Sequence, residues 1–279
     1  MKFKIFLEPF IEFFLVKANW TFKKMRFFGR IPFIRNQGFD EHYLNELDNH
    51  TIEGFNESLM AVEIVKNIQC HGYSANLSLE SSLLNDISEY VSQTPFFDRK
   101  TGKGQYQINL DSLERPSVGY LYNIHNPHVN VKKLNDFAQL QIKPIADAYL
   151  GADSIILNSY ILATFPDDGS HYNPDFGFHY DLDDYRFLKL FIYLTDVDED
   201  SGPHQIIANS HLGNTVFRFF NRRLPDILPL RFTNNIKVML GKKGEGFFED
   251  TLCYHKGTRP VKPRLLLQLQ FALSDKNEI

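Results

Sequence analysis

Two residues, His179 and Asp181, constrain this chain more than any others. A single tyrosine separates them, so in an extended segment both side chains leave the same face, and an imidazole and a carboxylate converge on one point. That is two thirds of a metal site. A facial triad of two histidines and one carboxylate leaves the other positions of an octahedron open, the arrangement that suits non-haem Fe(II) when substrate and O2 must both reach the metal. The third ligand must then be a histidine on another strand, so the fold has to bring distant segments edge to edge. His255, in Asp250-Thr251-Leu252-Cys253-Tyr254-His255-Lys256-Gly257, is the best-placed histidine, with His204 and His211 as rivals.

The flanking sequence supplies strands. Phe187 to Leu194 reads as a buried strand whose two-residue period puts Leu188, Leu190, Ile192 and Leu194 on one face and Phe187, Lys189, Phe191 and Tyr193 on the other. The leucine face suits packing against helices, and the face with Lys189 and Tyr193 suits a lumen. Ser154 to Thr164, Phe247-Phe248 and Leu265 to Leu273 read as further strands. Helical spacing predicts a helix from Ser58 through Leu59, Val62, Val65 and Ile68, capped by Gly72, then a turn and a second helix carrying Leu79, Leu83, Ile87, Tyr90 and Val91. A third helix is predicted from Leu134 to Leu150, closed by Gly151, with Pro144 marking a kink or restart. Phe165 to Ser170 reads as a loop placed to cover a substrate, and residues 212 to 243 as an insertion walling a cleft. Asp196, Asp198, Asp200 and Gly202 imitate the opening of a calcium loop, but Ile207 stands where the bidentate glutamate belongs, so a tight acidic turn is expected instead. Short strands, a His-x-Asp turn and a late-strand histidine fit a mainly β chain with flanking helices (α+β), folded as a double-stranded β-helix, a jelly-roll or cupin-like barrel.

Charge and cysteine usage exclude other classes. A formal net charge of -4 with no concentrated basic face argues against nucleic acid as a partner. Cys70 and Cys253 form neither a ligand pattern nor a disulfide framework, which suits a reducing, cytoplasmic location. Residues 1–35 hold eight Lys or Arg among many phenylalanines, interrupted by Glu8 and Glu12, so they are neither a spanning helix nor a signal-peptide core. They read either as a peripheral arm on an anionic membrane surface or as a helix packing its Phe face on the domain. The second is preferred, because aromatic stripes are core more often than anchors.

The ordered set carries a family resemblance. The run from His179 to His211, with Phe187 to Asp196 and Ser201-Gly202-Pro203-His204, followed by Asp250-Thr251, His255-Lys256-Gly257, Arg264 and Leu267-Gln268-Leu269-Gln270-Phe271, resembles the phytanoyl-CoA dioxygenase family of Fe(II)- and 2-oxoglutarate-dependent oxygenases. The resemblance covers residue 58 onward. It implies an oxygenase domain over residues 56–279 with its β-helix core at about 154–273, and composition sets a basic, Phe-rich arm and connector over 1–55 apart from it. It implies that His179, Asp181 and His255 hold Fe(II), while His204 and His211 are structural. Arg264 would grip the distal carboxylate of 2-oxoglutarate through its planar fork, with Arg259 competing for that role and Lys189 and Thr258 as further co-substrate contacts. A buried lysine needs an anionic partner, and 2-oxoglutarate is one. The reaction implied consumes O2 and 2-oxoglutarate, releases succinate and CO2, and hydroxylates an unactivated C–H bond of a small-molecule, lipid or carbohydrate substrate. Halogenases of the superfamily resemble the same pattern with a small residue in place of the carboxylate, so an intact Asp181 points to hydroxylation or a related oxidation. CoA binding does not follow, and neither does an oligomeric state. The competing readings are a cupin-like sugar-binding or isomerase barrel and a barrel without metal. The His-x-His pattern with a glutamate that is usual for the former is missing at residue 179.

Overall fold

A computed structural model describes residues 24–25, 27–35, 38–47, 51–52, 59–109, 112–116, 120–166, 176–224 and 234–273. Ten strands and four helices of these residues are used below: α1 (Ala61–His71), β1 (Tyr73–Ser78), α2 (Ser81–Gln93), β2 (Phe97–Asp98), β3 (Leu121–His125), α3 (Lys132–Phe137), α4 (Lys143–Leu150), β4 (Ile155–Thr164), β5 (Phe187–Tyr193), β6 (His204–Ile207), β7 (Ile236–Met239), β8 (Glu245–Glu249), β9 (His255–Gly257) and β10 (Arg264–Ala272). Seven strands form an antiparallel sheet in the order β1-β8-β5-β10-β4-β3-β2, and three form a second in the order β9-β6-β7. Sequence neighbours such as β4 and β5 lie on either side of β10, the late strand that pairs with both. That interleaving is what a jelly roll requires.

The period-2 reading of β5 holds. Leu188, Leu190, Ile192 and Leu194 join Leu265, Leu267, Leu269 and Phe271 of the β10 segment in one buried cluster with the helices, while Phe191 and Tyr193 join Leu266 and Ile206 between the sheets. Each inward position of β10 therefore faces the lumen, which puts Gln268 opposite Phe191 and Gln270 opposite Lys189. All these side chains are buried, and it is this sandwich of helices, sheet and sheet that holds the strand ends fixed.

Some elements differ from expectation. The turn predicted after α1 is instead β1, an edge strand paired to β8, and Gly72 precedes it at φ 83°. A Cβ on Gly72 would lie 2.1 Å from Cys253 Sγ, so glycine is required there by both backbone and space. The helix predicted over 134–150 passes into a π turn at Ala138–Ile142 and resumes as α-helix at Lys143, just ahead of Pro144, which has no N–H to give. The acidic turn is as expected: Asp198 caps a short 3-10 turn and pairs with Lys262, and Asp196 pairs with Lys242. Most of the arm over 1–35, part of the Phe165–Ser170 loop and the middle of the 212–243 insertion lie outside the described residues. Of the arm's described residues, Met25 and Arg30 are buried, with Arg30 donating to the carbonyl of Phe219, while Phe33 is exposed. Among the described residues no helix is long and apolar enough to cross a membrane.

Candidate metal centre

His179 and His255 sit opposite each other on neighbouring backbones. His179 N–H donates to the His255 carbonyl at 3.0 Å and His255 N–H returns the bond to His179 at 2.7 Å, a closely paired antiparallel bridge that sends both imidazoles to one side. Asp181, two residues on, is fixed by its own N–H donating to the carbonyl of Thr251. The three side chains converge as the spacing predicts, with ligand atoms within 4.8 Å of one another. Asp181 Oδ1 lies 3.7 Å from His179 Nε2, and Oδ2 lies 3.6 Å from His255 Nε2.

The ring orientations matter more than the distances. His179 Nδ1 is 2.8 Å from the carbonyl of Gly177 and His255 Nδ1 is 3.0 Å from that of Cys253. A carbonyl only accepts, so each Nδ1 carries a proton and each Nε2 is turned toward Asp181, which in the neutral ring is the tautomer a metal needs. Burial, the largest influence, lowers the pKa of His255 to about 4 despite Glu249 and Asp181 nearby, so that ring is neutral at pH 7.

The cleft above the triad has a volume of about 260 Å3, and its lining includes Arg264, Lys189, Gln268 and Arg99. Arg264 lies in it with Nη1 donating to the Gly202 carbonyl and a buried Nε that has no partner. Arg259 does not line the cleft; its guanidinium stacks 5.0 Å from the Phe176 ring. Thr258, expected as a co-substrate contact, is turned away, its hydroxyl donating to the Pro203 carbonyl at 2.8 Å. Lys189 reaches the lumen, but its anionic partners belong to the protein: Nζ lies 2.6 Å from Asp181 Oδ2 and 3.1 Å from Asp183 Oδ2. Burial would raise the Asp181 pKa, yet Lys189 and the two histidines hold it well below the usual carboxylate range. Asp183 escaped the sequence reading, although it continues the alternation of 179 and 181, and Gln270 Nε2 donates to it at 3.1 Å.

Of the rival histidines, His211 is structural. Its Nε2 meets the Gln69 carbonyl at 3.1 Å and its Nδ1 meets Cys253 Sγ at 3.2 Å, away from the triad. His204 is closer to the chemistry than expected, because it lines the cleft and stacks on His255 with ring centroids 5.3 Å apart. Behind both is Glu249, fully buried, its Oε2 2.7 Å from His204 Nε2 without a hydrogen bond between them. Burial pushes the Glu249 carboxyl up to about 8 and His204 down to about 3. Between roughly pH 4.5 and 6.5 these effects oppose each other, since the two neutral histidines gain stability with rising pH while a protonated Glu249 loses it. Above roughly pH 6.5 Glu249 acts alone. The metal-free protein is therefore expected to lose about 2 kcal/mol of stability from roughly pH 6.5 to 8, and Glu249→Gln is expected to flatten that slope, as read by urea unfolding at several pH values.

No family model matches the sequence, and no curated protein does; the phytanoyl-CoA dioxygenase resemblance thus rests on the motifs alone. Among solved structures, the epimerase SnoN from nogalamycin biosynthesis, in complex with Fe3+, alpha ketoglutarate and nogalamycin RO, aligns with a TM-score of 0.51 at 12% identity over 76% of this chain and 82% of its own. AviO1 from Streptomyces viridochromogenes Tue57 aligns at 0.49 and 15% identity, over 78% of this chain and 96% of its own. EvdMO1 aligns at 0.49 and 14% identity over 76% of this chain, which spans about half of it, 49%. At these identities the likeness to SnoN speaks to the fold, which is the cupin-like jelly roll expected from the strand pattern.

Proposed function

We propose that the protein is an Fe(II)- and 2-oxoglutarate-dependent oxygenase acting on a C–H bond of a small molecule, and the observation that carries the proposal is the convergence of the His179 and His255 side chains on Asp181, their ligand atoms within 4.8 Å of one another. The donor set of two imidazoles and one ionised carboxylate fits a ferrous ion that keeps open positions. Bound there with its keto-acid co-substrate and O2, the metal would supply the oxidising power, and the chain supplies the rest. His179, Asp181 and His255 hold the ion at the floor of the cleft. Arg264 offers its unpartnered Nε to the far carboxylate of 2-oxoglutarate. Lys189 keeps Asp181 ionised, and Leu162, Phe191 and Leu266 give the cleft walls that exclude water. SnoN, whose fold is similar, is an epimerase, so an outcome other than hydroxylation is the second reading.

The test is anaerobic addition of Fe(II) and 2-oxoglutarate, followed by succinate release in air against a panel of metabolites. A visible charge-transfer band and stimulated succinate release are expected, and a mass gain of one oxygen in the product separates hydroxylation from epimerisation. With no band and no succinate the oxygenase assignment fails, and a binding or isomerase barrel is left. Arg264→Gln should bind metal normally yet need about 100-fold more 2-oxoglutarate, the effect of losing a charge-assisted contact of roughly 3 kcal/mol. An unchanged requirement would remove Arg264 from the co-substrate site.

A further inference from the structure

A second cavity, of about 540 Å3, shares no lining residue with the metal cleft. Arg186 lines it. This residue immediately precedes β5, is 7% exposed, and has buried Nε and Nη1 atoms with no hydrogen-bond partner. The charge of Asp184 favours the charged guanidinium, but no carboxylate meets those two N–H donors. Asp184 accepts the backbone N–H groups of Tyr185 and Leu273, and Asp250, on the cavity wall, accepts the Tyr149 hydroxyl and the Leu252 N–H. A buried guanidinium with two idle donors is costly unless something anionic meets it.

The surroundings add charge and an apolar frame. Arg35 also lines the cavity, and after burial its like charge is the next influence lowering the pKa of Arg186. The Arg186 guanidinium lies 5.6 Å from the Phe39 ring centroid. Phe39 is held there because its neighbour Asp40 donates its N–H to the Gly151 carbonyl, and because Gly151 has no Cβ to displace the ring. Tyr149, Phe187 and Leu252 complete the apolar side. His211, whose pKa burial lowers, contributes no positive charge at pH 7.

We propose that this cavity is a binding site for a small organic oxyanion, a phosphate or carboxylate carried on an apolar or aromatic body, with the anion on Arg186 and Arg35 and the body against Phe39 and Phe187. The idle fork of Arg186, with the charge of Arg35 on the same wall, suits a multi-oxygen anion better than a single-atom ligand. The volume falls in the range of small-molecule sites. The site is independent of the metal-centre assignment.

Isothermal titration of the full chain with inorganic phosphate, phenyl phosphate and benzoate, at constant ionic strength, tests it. Saturable binding is expected for the wild type, with phenyl phosphate tighter than inorganic phosphate because it also fills the aromatic side, and the benzoate arm tells carboxylate from phosphate. Arg186→Gln should weaken binding at least tenfold and His179→Ala should leave it unchanged. Arg35→Gln, weakened severalfold, serves as the second variant should Arg186→Gln fail to give a cooperative melt. The proposal is overturned by absence of saturable binding to the wild type, by Arg-to-Gln variants that bind like the wild type, or by loss of binding in His179→Ala, which would move the anion to the metal cleft.

Discussion

His255→Ala is expected to weaken Fe(II) binding by more than about 100-fold and to abolish both the charge-transfer band and succinate release, since losing even an outer partner of a metal ligand costs 10- to 100-fold. Asp181→Ala and His179→Ala should do the same. The geometry makes the result interpretable. The bridge that positions residues 179 and 255 is made of backbone atoms, so alanine deletes a donor without deleting the hydrogen bonds that close the barrel there. His255 also stacks on His204, and Glu249 lies 3.6 Å from its Nδ1, so some stability will go with the ring. The informative comparison is therefore with Arg264→Gln, in which metal binding persists and co-substrate binding fails. An alanine variant at 255 that folds and still binds Fe(II) like the wild type would end the triad proposal.

The sequence was a good guide to this centre because alternation is a local property. His179 and Asp181 share a face whatever surrounds them, and the leucine and lysine faces of β5 are written in the same two-residue code. The Pro144 restart and the Gly72 and Gly151 caps were legible for a similar reason: each follows from one residue's own backbone limits. Pairings across the fold were not legible. That β1 would be a strand depends on β8 being available as its partner, and nothing in Tyr73 to Ser78 announces that. The lumen side of Lys189 follows from alternation, but its pairing with Asp181 and Asp183 is tertiary and does not. The bond from the Thr258 hydroxyl to a carbonyl 55 residues earlier in the chain is tertiary in the same way. Glu249 and Arg186 belong to no motif in the sequence, and only burial makes either of them unusual.

Lys189→Met is expected to destabilise the metal-free protein by about 3–5 kcal/mol, the range for breaking a buried ion pair from one side. Lys189 is 6% exposed, and its side-chain amine is the cation nearest to both Asp181 and Asp183 among the ion pairs described. Methionine fills the same volume but leaves two carboxylates in one pocket, with Gln270 donating to Asp183 alone. For a chain of this size the melting temperature should fall by roughly 2–4 °C for each kcal/mol. The pH response has a definite sign. In the wild type Asp181 is held below its unfolded pKa, so its contribution is full above the ordinary carboxylate range and is lost on acidification; in the variant that acid loss should shrink, because the carboxylate is no longer favoured in the fold. Divalent metal should then act as the missing cation. One carboxylate oxygen of Asp181 is bonded to Lys189 and the other faces His179, so lysine and metal share the group, and a metal ion becomes more valuable once lysine is gone. Mn(II) or Fe(II), measured anaerobically by differential scanning fluorimetry, should raise the melting temperature of Lys189→Met by more than it raises that of the wild type. Equal metal-induced shifts, or a metal-free variant melting within about 1 °C of the wild type, would show that Lys189 neither pairs with Asp181 in solution nor shares it with the metal.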